Sequence, residues 1–340
     1  MKNVAYFFIS AISIVVILIY GKTLLIPFVF ALLLWFLTRK IRYHLNTVDF
    51  IRDKIPTWFK NVFILGLMVL MLSFVSKLLV ANINSLAKSY STYEGNVEFV
   101  IQKLNDVLQI NVVEMLKTNL GAMDFGSILK QIFNSLSDLV GNAFLIVIYA
   151  VFIFLEESSF PLKLKKALSK NEQYENVSDI LEAIEHSINS YISLKTLVSI
   201  ITGILSYVVL LFIGIDAPLF WAFLIFMLNF IPTIGSLIAT LFPAIFCLLQ
   251  FGEFTPSLMV LGFVGAIQVL VGNLIEPKIM GSSLNISPLV AIFALSFWGV
   301  LWGVTGMILS IPITVIITIV LSHFPATKSV AIMLSDKVRK

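Results

Sequence analysis

The polar residues that could do chemistry in this chain stand inside long apolar runs. Asn229, Thr233 and Ser236 interrupt the stretch 219–250, while Gln268, Asn273 and Glu276 lie along the run that follows. Carboxamides and hydroxyls can hydrogen-bond the hydroxyls or carbonyls of a neutral ligand, or answer backbone groups that a broken helix exposes. Glu276, the one acid near this group, can pair with its neighbour Lys278 or carry a coupling proton or Na⁺. No nucleophile stands beside a general base, and no phosphate loop occurs. His44, His186 and His323 are too scattered for a metal motif. The expectation is a protein that is not an enzyme and needs no cofactor or metal.

The elements that must position these residues are membrane helices. Of 340 residues, 59% are hydrophobic and 12% charged, with mean hydropathy +1.00. From Thr196 to Thr327 the only charges are Asp216, Glu253, Glu276 and Lys278, which excludes a soluble core. The net charge of +4 comes from basic loops, so no nucleic-acid partner is expected. Cys247 lies alone in an apolar segment, as a packing residue with no intrachain disulfide.

Residues 4–20 are too long an apolar run for a signal peptide and lack a cleavage site, so they read as a first membrane helix. Segment 24–37, opened by Pro27, is the second, and 59–80 the third. Arg39, Lys40, Arg42, Arg52, Lys54 and Lys60 face only Asp49 and Asp53 between them. The positive-inside rule then puts this loop, and the N-terminus, in the cytoplasm. Residues 81–138 carry no Arg and are expected outside. Ile83, Leu86, Tyr90, Tyr93, Val97, Val100, Leu104 and Val107 form a heptad-like seam there. That seam can meet a second periodic run at Leu129–Leu139 or contact a neighbouring subunit. A fourth membrane helix, 140–155, leads to Lys163, Lys165, Lys166 and Lys170 inside. An amphipathic helix bearing Val177, Ile180, Leu181, Ile184 and Ile188 then runs into a fifth, 193–213.

The next stretch cannot cross in one piece. Its halves, 217–231 and 235–251, each reach roughly 22–26 Å, short of the ~30 Å hydrocarbon core. Pro232 and Gly235 mark the break, and charge parity makes the pair a hairpin entered from outside. Segment 255–275 crosses inward. Region 288–321 is broken at Gly303 and Gly306, contains Pro312, and must start and end inside. Two units of opposite topology, with broken tips meeting near the midplane, describe an inverted-repeat secondary transporter; the alternative is independent kinked helices whose parity coincides by chance.

The motifs Asn229-Phe230-Ile231-Pro232-Thr233-Ile234-Gly235 and Glu276-Pro277-Lys278-Ile279-Met280-Gly281 resemble the hallmarks of the autoinducer-2 exporter (AI-2E) family. So do Pro288-Leu289-Val290, Trp302-Gly303-Val304-Thr305-Gly306-Met307 and Pro312. The resemblance covers nearly the whole chain. It implies a bacterial inner-membrane transporter, a homo-oligomer of the pentamer type, and an elevator-like transport domain. Members are linked to export of the quorum-sensing furanone autoinducer-2, others to Na⁺(Li⁺)/H⁺ antiport. Ser287 departs from the His that many relatives carry before the proline.

The expected fold is an all-α polytopic membrane protein of about eight hydrophobic segments, with two broken hairpins and an extracytoplasmic helical arm. Its parts are three membrane helices with a basic loop (1–80), the arm (81–138), a membrane helix with a cytoplasmic amphipathic helix (139–192), a transport core (193–323) and a cytoplasmic tail (324–340). The expected activity is export of a small polar solute such as autoinducer-2. Asn229, Thr233, Gln268, Asn273 and Glu276 line its pathway, and the partners are the bilayer and a neutral solute or monovalent cation. The alternatives are a cation/proton antiporter and a non-transporting oligomeric scaffold.

Overall fold

The computed structural model describes residues 2–67, 69–70, 73, 77, 96, 141–168, 171–280 and 285–336. Every regular element among them is helical. In chain order they are α1 (Lys2–Tyr20), α2 (Lys22–Leu45), α3 (Asp49–Lys54), α4 (57–67), α5 (Ala143–Glu157), α6 (Phe160–Ala167) and α7 (Asn171–Ile213). There follow α8 (Pro218–Leu228), α9 (Ile234–Phe251), α10 (Phe254–Leu270), a π-helical turn (Val271–Ile275), α11 (Glu276–Met280), α12 (Pro288–His323) and α13 (Lys328–Leu334). Among the described residues five helices are long and apolar enough to cross a membrane, or six if the bent pair α5–α6 is one span. The expected all-α polytopic membrane fold stands. The 81–138 arm, apart from Asn96, and most of the third span lie outside the described residues.

Two expected elements fuse and one lengthens. The amphipathic helix and the fifth span are one helix, α7, of 43 residues. At 1.5 Å per residue it is roughly 65 Å long, about twice the hydrocarbon core. α2 continues to Leu45, so Arg39, Lys40 and Arg42 sit on its last turns and not in a loop.

The chain divides into two compact units. The first comprises Met1–Leu72, Ser135–Ser193 and Ser282–Lys340. Small residues let its helices meet: Ala31 of α2 and Ala150 of α5 are fully buried together with Leu65 and Ile146. A second cluster joins Ala294, Trp298, Trp302 and Leu309 of α12 to Leu18 of α1 and to Leu25, Ile26 and Val29 of α2. The Trp302 indole donates to the Leu18 carbonyl at 2.9 Å. That carbonyl is among the last four of α1, which have no helical donor, and lipid offers none.

α12 is not one rod. Gly303 has φ 63° and ψ −145°, a conformation essentially confined to glycine. A Cβ on Gly306 would lie 2.0 Å from the Trp298 carbonyl oxygen, although residues eight apart in a straight helix are about 12 Å apart. The chain therefore reverses at Gly303, as the Gly/Pro spacing predicts, with Pro312 inside the second arm. Gly303→Ala is expected to cost about 1–3 kcal/mol of backbone strain. Thermal melts of the purified protein should show it beside Gly262→Ala, where a Cβ meets nothing within 4 Å.

The second unit comprises Ser73–Asn134 and Leu194–Gly281. Its core is built on Phe220, Trp221, Leu224, Ile225 and Leu228 of α8, Ala239, Phe242, Ala244 and Cys247 of α9, and Val260 and Val264 of α10. The Ser257 hydroxyl ties α10 to the Ala244 carbonyl of α9 at 2.8 Å. At the C-terminal end of α9, the Gln250 side chain accepts from the Asp216 N–H (2.7 Å) and donates to the Gly214 carbonyl (3.0 Å). Asn96 donates to the Leu249 and Gln250 carbonyls. The Asn96 contacts answer carbonyls that the end of α9 leaves unpaired, while those of Gln250 tie α9 to the turn after α7.

Candidate functional site

The break between α8 and α9 is a tight reversal with a strained centre. Asn229 is the C-cap of α8, its N–H on the Ile225 carbonyl and that of Phe230 on the Met227 carbonyl. Thr233 has φ 60° and ψ −59°, and the Ile234 N–H reaches back to the Pro232 carbonyl at 2.6 Å. This is a γ-turn with positive φ, a rare geometry for any residue and more so for a β-branched one. Its surroundings hold it. Pro232 fixes the approach, the Ser236 hydroxyl donates to the Thr233 carbonyl at 2.9 Å, and Gly235 lies against the Leu228 carbonyl. Thr233 itself is exposed.

Asn229 points into the unit. It is 8% exposed, and its Nδ2 donates to the Ser199 hydroxyl of α7 at 3.1 Å. Ser199 belongs to a buried polar stripe on that helix, Lys195, Ser199, Thr202 and Ser206, whose spacings of four, three and four place them on one face. Thr202 donates to its own helix at the Val198 carbonyl. Gly203 keeps the contact close, since a Cβ there would stand 3.3 Å from the Ala222 carbonyl oxygen of α8. Among the described residues of this unit, three buried side-chain groups have no hydrogen-bond partner: Ser206 Oγ, Trp221 Nε1 and Gln268 Nε2. Each bears a hydrogen to donate, so each can be answered by an oxygen acceptor.

Gln268 sits at 7% exposure, one turn beyond Gly265, which faces Thr240 of α9. Antiparallel packing thus sets its unpaired amide level with the first turn of α9, next to the break. Just after it α10 changes gait. Pro277 lacks an N–H, and its ring conflicts with the carbonyl four residues earlier, that of Asn273. The chain adopts a π turn, in which the Glu276 N–H bonds the Val271 carbonyl. The turn delivers Glu276, 24% exposed on its side chain, to Lys195 of α7, 6% exposed on its own. The Lys195 ammonium donates to Glu276 Oε1. The neighbour Lys278, expected as a partner, is exposed on α11 instead. Three residues in sequence cannot bring Lys278 as close as a packed helix brings Lys195.

The sequence model of AI-2E family transporters matches residues 7–326. The chain belongs to the AI-2E transporter family. It is 30% identical over 321 residues, 93% of its own length and 91% of the relative's, to the AI-2 transport protein TqsA of Escherichia coli (strain K12). A putative transport protein of Borreliella burgdorferi is 32% identical over 257 residues, covering 74% of this chain and 70% of that one. One from Haemophilus influenzae is 29% identical over 298 residues, 83% of each. This AI-2E transporter is therefore a multi-pass membrane transport protein and not an enzyme.

Within this AI-2E transporter the expected pathway residues divide by environment. Asn229, Gln268 and Glu276 are enclosed, whereas Thr233 on its γ-turn and Asn273 on the π turn are exposed. All five lie in the second unit, while Gly303, Gly306 and Pro312 belong to the first. Ser236, Ser296 and Ser310 donate to backbone carbonyls three or four residues earlier. Lys195 is the residue that sequence reasoning passes over. Its signal is nonetheless present: it is the last charge on α7, at the start of that helix's uncharged part.

Proposed function

We propose that this transporter carries a small, uncharged, oxygen-rich solute, with autoinducer-2 the leading candidate, out of the cell. The observation that carries the reading is the Gln268 amide, buried beside the helix break with no acceptor. An unanswered buried donor costs about 1–3 kcal/mol, and a solute oxygen can remove that cost. Asn229 at the end of α8 and Ser199 of α7 supply further polar groups at the break, and the exposed Thr233 and Asn273 complete the pathway. The name of the Escherichia coli relative, an AI-2 transport protein, supports the same class of solute. A compact second unit with its own core supports an elevator-like cycle in which that unit is the carrying body. Placement in a bacterial inner membrane, with both termini in the cytoplasm, rests on the basic residues that follow α2 and α5. Assembly into a homo-oligomer, a pentamer, rests on the family. Cation/proton antiport has less support, because Glu276 already holds an ammonium.

Counterflow of labelled autoinducer-2 in proteoliposomes, beside a Na⁺-driven pH-dye assay, tests this reading. Solute flux is expected, and Gln268→Leu should weaken apparent affinity about three- to tenfold, the net worth of one hydrogen bond. Dye quenching without solute flux would sink it.

A further inference from the structure

A carboxylate set in a poorly polar surrounding needs a positive charge beside it: a proton, a bound metal cation or a basic side chain. At Glu276 the chain itself supplies one. Lys195 is 5% exposed, too enclosed to be there for solubility, and its ammonium lies on Glu276 Oε1. On the same turn one backbone oxygen loses its helical donor. The Glu276 N–H goes to Val271, and the residue that could donate next, Pro277, has no N–H. The Gly272 carbonyl therefore has no backbone donor within the turn. A carboxylate and a backbone carbonyl on one turn are both oxygen donors, the ligand type that hard cations take. Other charged groups described in this unit are Lys77, Asp216, Glu253 and Lys278. Of these, Asp216 and Glu253 stand at the opposite end of α10, and Lys278 is exposed on the same short helix as Glu276.

We propose that Lys195 is a tethered cation, whose ammonium fills a monovalent-cation site formed by Glu276 and the π turn. The wild-type protein then needs no Na⁺, Li⁺ or K⁺ at this place, and removing the ammonium uncovers a site for one. The inference goes beyond the solute-export reading and does not depend on which solute is carried, because its test reads stability and not flux.

The full-length protein, purified in detergent, is melted in NaCl, LiCl or choline chloride at equal ionic strength. Wild type is expected to melt at one temperature in all three. Lys195→Ala should melt lower in choline, and its melting temperature should rise with Na⁺ or Li⁺ by linkage and also with lower pH, since protonation of Glu276 removes the same charge. Lys195→Ala/Glu276→Gln should recover stability and lose both responses. Should Lys195→Ala yield no folded protein, Glu276→Gln carries the test. It leaves an ammonium alone, so it should gain stability as pH rises, and the double variant should recover. A Lys195→Ala protein indifferent to cation and pH would overturn the proposal, as would a Na⁺ shift in wild type equal to that in the variant. Glu276→Gln melting like wild type at every pH would overturn it too.

Discussion

Gly235→Ala is expected to leave little folded protein. The added Cβ would stand 1.9 Å from the Leu228 carbonyl oxygen and 2.9 Å from its carbon, separations that no contact survives. Overpacking a core usually costs about 1–3 kcal/mol because a neighbouring side chain gives way. Here the neighbour is backbone at the end of α8, and Ile231 Cβ closes another side at 3.1 Å. The γ-turn at Thr233 prevents the arms from parting, since it already uses the reversal's freedom. A cost at or above about 3 kcal/mol follows, against a typical margin of 5–15 kcal/mol. Gly306→Ala should behave alike, its Cβ 2.0 Å from the Trp298 carbonyl oxygen. Gly299→Ala supplies the contrast, because its nearest atom is the terminal methyl of Met307, at 2.9 Å on a flexible chain. Size-exclusion profiles and thermal melts of the three variants check this. A Gly235→Ala protein that elutes and melts like wild type would show that the arms do not approach so closely.

Both breaks were legible before any coordinates because they rest on residue types with one-dimensional consequences. Pro232, Gly235, Gly303 and Pro312 punctuate apolar runs whose lengths can be measured against a bilayer. The same local device recurs in each: a glycine of the second arm receives a carbonyl of the first, Gly235 from Leu228 and Gly306 from Trp298. What could not be read is what depends on which helices touch. Asn229 finding Ser199, and Glu276 finding Lys195, are contacts across 30 and 81 residues, and no periodicity within one segment announces them. The π turn was hidden for a different reason. Pro277 reads as a helix end, whereas the chain absorbs it by widening one turn and continuing. Extension of α2 past Leu37 escaped because Arg39, Lys40 and Arg42 read as loop charge, although arginine and lysine are good helix formers.

Those arginines carry the second large effect. Glu157 → Gln is expected to destabilise the protein by about 2–3 kcal/mol, the worth of a charged hydrogen bond lost from an enclosed pair. Arg42 Nη2 lies 2.5 Å from Glu157 Oε1, and the two side chains are 13% and 18% exposed. The other Arg42 nitrogen donates to Asn61 Oδ1 at 2.7 Å, so the guanidinium bridges α2, α4 and α5. Arg39 adds less to Glu157. It stands 3.5 Å away at 36% exposure, with its own partner Glu185 at 2.8 Å and the Trp35 ring beneath it at 5.1 Å. Glutamine keeps the shape and one acceptor oxygen at position 157 but leaves an enclosed arginine without its charge. Glu185→Gln, in the more open pair, should cost under about 1 kcal/mol and lose its effect in high salt, whereas the Glu157→Gln penalty should persist. Arg42→Gln/Glu157→Gln should restore part of the loss, since no charge is then left alone. The basic residues at the end of α2 would thus hold helices together, and a Glu157→Gln melt equal to that of Glu185→Gln would show that they do not.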